Sequence, residues 1–192
     1  MSSQKKNFLE GEADHYFHRN RQVYEAEVPA NTYALDFYAR FLKSGDRVLE
    51  IGCGSGINLE YFRQKSSCLV YGVEPSADAV ASGKTLFPEI NLQVSTADSL
   101  SFENESMDFV LFGFCLYLVD RRLLFHAVME ADRVLKEGGI LGITDFDPLV
   151  PRVRPYRHVP GLFSYKMDYT VPCKSCILSC RETQFLALRQ RV

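Results

Sequence analysis

The stretch that decides the fold is Val48-Leu49-Glu50-Ile51-Gly52-Cys53-Gly54-Ser55-Gly56. An apolar strand ends beside an acid and runs into three glycines at alternate positions. Glycine lets the backbone turn sharply and approach a ligand closely, because no β-carbon stands in the way. A strand, such a loop and then a helix is how parallel α/β sheets bind nucleotides at the carboxyl ends of their strands. The spacing is G-x-G-x-G. It is neither the G-x-G-x-x-G of dinucleotide folds nor the G-x-x-x-x-G-K of phosphate-cradling loops, and no Lys-Ser or Lys-Thr follows. The spacing argues against a ligand held by its phosphates.

Outward from this loop, strands and helices alternate. Residues 31–43 place Tyr33, Leu35, Phe37, Tyr38, Phe41 and Leu42 at helical spacing, and Gly45 ends that helix. Residues 46–51 read as the first strand and 57–64 as the helix after the glycines. Residues 68–73 read as a second strand ending at Glu74. Ser76 is placed to cap a helix that Pro88 stops. A short third strand covers 90–94. Residues 108–114 read as a strand that is continuously apolar after Asp108, as in a strand covered on both faces. A helix over 121–135, broken by Gly138-Gly139, precedes a fifth strand over 140–146. This alternation predicts a mostly parallel sheet with right-handed crossovers. Glu74 stands 22 positions beyond Gly52, near the ~20-residue offset at which an acid meets ribose hydroxyls in such folds. A carboxylate can accept from both the 2′- and 3′-hydroxyls.

A chain of 192 residues suits one substantial core. Its net charge of −2 argues against a nucleic-acid partner, which calls for a concentrated basic face. Arg152, Arg154, Arg157 and His158 cluster late, as do Arg181, Arg189 and Arg191, and read as solvated surface. The first twelve residues have no apolar core of a signal peptide. The longest apolar run, 109–119, is short of the ~20 residues that cross a bilayer. With six cysteines away from framework spacings, the expectation is a cytoplasmic protein with no membrane partner.

Residues 48–56, with the acid at 74, the Thr96-Ala97-Asp98-Ser99-Leu100 segment and Gly138-Gly139 after Arg-Val-Leu-Lys, resemble the class I S-adenosylmethionine-dependent methyltransferases. Within that family the chain is similar to the ubiquinone/menaquinone-methyltransferase-like subgroup. The resemblance covers residues 31–146. It implies a Rossmann-like, doubly wound α/β sheet with helices on both faces and S-adenosylmethionine as cofactor. Residues 1–30 would form an N-terminal cap, 31–170 the methyltransferase domain and 171–192 an atypical tail. On the matching positions, Glu50 and the loop glycines Gly52, Gly54 and Gly56 would hold the methionine end. Glu74 and Pro75 would hold the ribose. Asp98 would receive the adenine amino group, with Ser99 supplying the neighbouring backbone N–H. Phe112 and the residues to Tyr117 follow the fourth strand, where the family positions the acceptor, and their aromatics would either line the site or fill the core.

Methyl transfer from a sulfonium needs mainly in-line positioning of the acceptor, with a base only when the acceptor carries a proton to be removed. Candidates for that base are His15 and His18 in the cap, His126, and His158, with Tyr16 nearby. The Asn/Asp-Pro-Pro-aromatic tetrad of enzymes that methylate nucleic-acid amino groups is replaced by Phe112-Gly113-Phe114-Cys115, so a small-molecule acceptor is expected.

The family closes its sheet with two more strands, the last antiparallel between the fifth and sixth. Residues 164–169 read as a sixth strand. The rest, with Cys173, Cys176 and Cys180, lacks a clean period-two run, so the C-terminal strand pair is expected to be incomplete. An unpaired fifth strand would then invite a homodimer through the exposed edge. The cysteines read as incidental thiols and not a metal site. Two rival functions remain. One is a non-catalytic or truncated S-adenosylmethionine-binding protein. The other is an NAD(P)-dependent Rossmann oxidoreductase, whose fingerprint would need a glycine where Ile57 stands.

Overall fold

The computed structural model describes residues 3–177 and 184–190. Six parallel strands form one sheet: β1 (Arg47–Ile51), β2 (Leu69–Glu74), β3 (Asn91–Val94), β4 (Met107–Gly113), β5 (Leu135–Phe146) and β8 (Gln184–Gln190), in the spatial order β3-β2-β1-β4-β5-β8. Helices α4 (Thr32–Ala39), α5 (Ile57–Ser66), α6 (Ala77–Leu86), α7 (Leu124–Val134) and α8 (Thr170–Ile177) complete the layers. Two apolar clusters fill the two faces. Val48, Phe62, Phe109 and Leu111 pack with Tyr38 of α4 on one face. Leu49, Val110 and Phe112 pack with Val128 and Val134 of α7 on the other. The central strands β1 and β4 are buried almost throughout, so they are apolar on both faces. The result is the Rossmann-like doubly wound sheet expected from the alternation.

Local signals account for the helix starts. Asn31 Oδ1 accepts the Ala34 N–H at the start of α4, and Ser76 Oγ accepts the Ala79 N–H at the start of α6, which pairs donors that no helical carbonyl reaches. Before α4, short helices α1 (Ser3–Asn7), α2 (Ala13–Arg19) and α3 (Arg21–Tyr24) are joined by an irregular turn at Phe8–Glu12 with Gly11 at φ +131°. They lie over the carboxyl end of the sheet, where Asp14 Oδ1 accepts from Ser76 Oγ and the Asp78 N–H.

The carboxyl-terminal part corrects the expectation. The bare fifth strand is covered: β8 pairs in parallel with β5 from Ile140↔Gln184 to Phe146↔Gln190. The backbone groups of β5 need partners, and the short run Phe185-Leu186-Ala187-Leu188 supplies a strand without period-two patterning. A dimer through the edge of β5 is therefore blocked, and the free edge on that side is β8's own. The inserted antiparallel strand is not found among the described residues. The segment read as a sixth sheet strand is instead β7 (Phe163–Lys166), which pairs antiparallel with β6 (Arg152–Pro155) outside the main sheet. Adjacent segments joined by a turn pair locally more readily than they cross to a distant edge. The glycine pair 138–139 does not separate α7 from β5 either. The helix passes directly into the strand at Leu135, and Gly138 (φ +72°) lies within its irregular start. Cys173 is buried in α8, whereas Cys180 lies outside the described residues.

Candidate cofactor-binding site

The bend after β1 is built for close approach. Gly52 (φ +78°) and Gly54 (φ +56°) both adopt left-handed backbone. A β-carbon on Gly52 would stand 2.5 Å from Cys115 Cβ, and one on Gly54 would stand 2.3 Å from the ring of Tyr24. Gly56 instead sets the start of α5. Thus two glycines shape the floor of a cleft and the third launches the helix.

Glu74 closes the cleft on the β2 side. Its Oε2 accepts the Gly54 N–H at 3.0 Å and its Oε1 the Ser76 N–H at 3.0 Å. Burial pushes its carboxyl up to about 7 despite those two donors, and Asp14 adds to the rise. Gly52, Gly54, Glu74, Pro75 and Asp98 line the same cleft. Asp98 is engaged at 2.7 Å by Lys5 from the cap.

Glu50 lies behind the glycines, paired in register with Gly72 and Leu111. It is 1% exposed. Its Oε1 accepts from Asn58 Nδ2 at 2.7 Å, while its Oε2 is buried with no hydrogen-bond partner. Burial raises this carboxyl to about 8, the Asn58 amide lowers it, and Glu74 raises it further. A buried carboxylate oxygen without a donor is costly, and a cationic or N–H group would satisfy it.

A second cavity adjoins the first, bounded by Asn20, Asn58, Gly113, Tyr117, Thr144 and Phe146. Tyr16, Tyr24, Gly52 and Phe114 border both cavities. The Tyr16 and Tyr117 hydroxyls meet at 3.0 Å. Beneath Tyr117 lies the buried Asp145, whose Oδ2 accepts the Tyr117 N–H and whose Oδ1 accepts the Phe146 N–H. Burial raises its carboxyl to about 7, against three backbone donors that lower it.

The remaining candidates fall elsewhere. Phe112 is 0% exposed in the core and borders neither cavity. The β4 pleat turns it inward, and Phe114, at φ +51°, takes the lining position. Ser99 is exposed, its N–H is donated to the Thr96 carbonyl, and it does not line the cleft. His18 is exposed and paired with Asp78 at 2.7 Å. His15 is exposed beside Glu12. His126 and His158 are also exposed, and none of the four borders either cavity. Tyr117, from the stretch after the fourth strand, does border the second cavity. Sequence reasoning misses Tyr24, Lys5 and Asp145. Asp145 carries a usable signal, since it ends its strand as Glu50 and Glu74 do theirs. The other two are brought in by tertiary packing alone.

Residues 49–143 match the methyltransferase-domain family. Among curated proteins, the chain is 28% identical over 112 residues to the ubiquinone/menaquinone biosynthesis C-methyltransferase UbiE of Campylobacter jejuni, covering 55% of this chain and 47% of that protein. It is 30% identical over 108 residues to a probable phthiotriol/phenolphthiotriol dimycocerosates methyltransferase of Mycobacterium ulcerans, covering 55% and 41%. The chain spans about half the length of the curated relatives it matches. Among solved structures, it is similar in fold to an S-adenosylmethionine-dependent methyltransferase of Methanococcus maripaludis described as putative (TM-score 0.58, 18% identity, 76% of this chain and 68% of that one). It is also similar to YcgJ of Bacillus subtilis (TM-score 0.56, 24% identity, 62% and 53%). The comparisons favour neither the oxidoreductase nor the non-catalytic reading.

Proposed function

We propose that this chain, a class I S-adenosylmethionine-dependent methyltransferase by its domain at residues 49–143, binds that cofactor at the carboxyl ends of β1 and β2 and methylates a small-molecule acceptor. The observation that carries this reading is the half-buried Glu74, its carboxylate held against the Gly54 bend and lining the cleft with Asp98. A diol at that place would donate to Glu74, and an exocyclic amine would reach Asp98. The partnerless Glu50 Oε2 fits the ammonium of an amino-acid moiety. When bound, the cofactor supplies an activated methyl on a sulfonium leaving group.

The chain's own part is then to position and to keep water out. Tyr16, Tyr24 and Phe114, the wall shared by the two cavities, would set the line between donor and acceptor. The second cavity, with Tyr117 and Phe146, suits a flat, partly aromatic acceptor. This agrees with the quinone-related names of several relatives. With every histidine outside the cavities, the Tyr16 and Tyr117 hydroxyls are the polar groups placed to hydrogen-bond and orient an acceptor in the second cavity.

Calorimetric titration tests the reading. S-adenosylhomocysteine should bind and NAD should not, and Glu74→Ala should weaken the former by about 10–100-fold, the loss of hydrogen bonds to a charged acceptor. Binding of NAD alone would overturn it. Mass spectrometry of turnover with candidate phenolic and quinol acceptors then tests the acceptor class.

A further inference from the structure

We propose that the β6–β7 hairpin, with the 148–151 loop that leads into it, docks this protein on an anionic lipid surface. In a chain of net charge −2, residues 148–167 carry Arg152, Arg154, Arg157 and Lys166 and no acid. Every residue of β6 is exposed. Arg152 stands opposite Lys166 across the hairpin, and Arg154 opposite Ser164, so the alternation of a strand puts these three cations on one face; Lys166 Nζ lies 3.5 Å over the Phe146 ring, and the two arginines are left exposed. None of Arg152, Arg154 and Arg157 is in an ion pair among the described residues. Apolar side chains stand out in the loop just ahead of them: Leu149 is 95% exposed and Val150 64%.

Sequence alone reads these cations as solvated surface, and an edge strand uses charge and proline to avoid pairing with other chains. Edge protection does not explain Leu149 and Val150 thrust into water. A nucleic-acid groove does not either, because its phosphates would leave them wet. A bilayer interface takes both kinds of group at once, apolar tips into the headgroup boundary and cations against anionic headgroups. The hairpin is also fixed to the cap over the cleft. Tyr156 Oη donates to Glu12 Oε1 at 2.7 Å, and Gln4 Nε2 donates to the Phe163 carbonyl at 3.0 Å. Docking would therefore set the cap, and the mouth it covers, beside the membrane.

The test is co-sedimentation of the full chain, without cofactor, with phosphatidylcholine vesicles that contain or lack phosphatidylglycerol. We expect binding to the anionic vesicles only, weakened by added salt. Arg152→Gln with Arg154→Gln should weaken it about 25-fold, about fivefold for each cation. Leu149→Ser with Val150→Ser should weaken binding while leaving its salt dependence in place. Circular dichroism melting checks that each variant folds. No binding to anionic vesicles, equal binding to both kinds, or binding undiminished in the arginine pair would overturn the proposal. Because no cofactor is present, that failure is separate from failure of the methyltransferase reading.

Discussion

The ring of Tyr24 lies directly across Gly54, so close that a β-carbon on the glycine would stand 2.3 Å from Tyr24 Cε1. The same tyrosine's carbonyl accepts from Ser55 Oγ. The cap and the bend that follows β1 are thus one packed unit, and the absence of a side chain at residue 54 is what permits it.

Gly54→Ala should therefore be destabilising twice over. Left-handed backbone costs an L-residue roughly 1–2 kcal/mol, and displacing the ring adds an overpacking cost of about 1–3 kcal/mol. In a Tyr24→Ala background only the backbone part should remain. A double-mutant cycle by thermal melting checks this, with a penalty for Gly54→Ala that shrinks when the ring is gone.

The Tyr16–Tyr117 hydroxyl pair should behave as a coupled unit. Tyr16→Phe and Tyr117→Phe each remove the same hydrogen bond, worth about 1 kcal/mol. The double variant should lose little more than the larger single loss. Denaturant unfolding measures that coupling, and additive losses would show that the hydroxyls act separately.

His15→Gln, His18→Gln and His126→Gln should leave methyl transfer within about twofold of the parent, since surface changes rarely exceed ±0.5 kcal/mol. All three imidazoles are exposed and outside both cavities. Steady-state rates with any accepted substrate check it. A large drop in any one would put that histidine back near the chemistry.

Much of this arrangement is legible in the sequence. The glycine spacing and the apolar β4 run each report a local backbone demand, so the succession of parallel strands up to β5 and the position of Glu50 and Glu74 at strand ends are readable from them. Phe112 went astray because a β-strand alternates faces. One apolar residue in a continuous run cannot say which face it takes, and the lining position fell to Phe114. The tail went astray for a related reason. β8 gains its place from the unpaired backbone of β5, a demand that belongs to a distant strand and leaves no pattern in 184–190 itself. Lys5 and Tyr24 reach the cleft from two separate helices of the cap, and no spacing records that.

The three acids at strand ends make stability and ligand binding respond to pH in opposite directions. Burial holds Glu50 at about 8, and Glu74 and Asp145 at about 7. Because the folded values lie above the unfolded ones, the folded chain binds more protons between about pH 4.5 and 8. Stability from these groups is complete below their unfolded values and is lost as pH rises through the folded ones. The ligand-free melting temperature should therefore fall from pH 5 toward pH 8, and Glu74→Gln should flatten that slope. A diol donating to Glu74, or an ammonium meeting Glu50, favours the ionised carboxylate instead. S-adenosylhomocysteine should then bind more tightly as pH rises toward about 7, by up to about tenfold per pH unit for each proton released. Calorimetry in buffers of different ionisation enthalpy counts those protons directly. Affinity that stays flat across this range in the parent chain would mean that neither carboxylate takes part in holding the ligand.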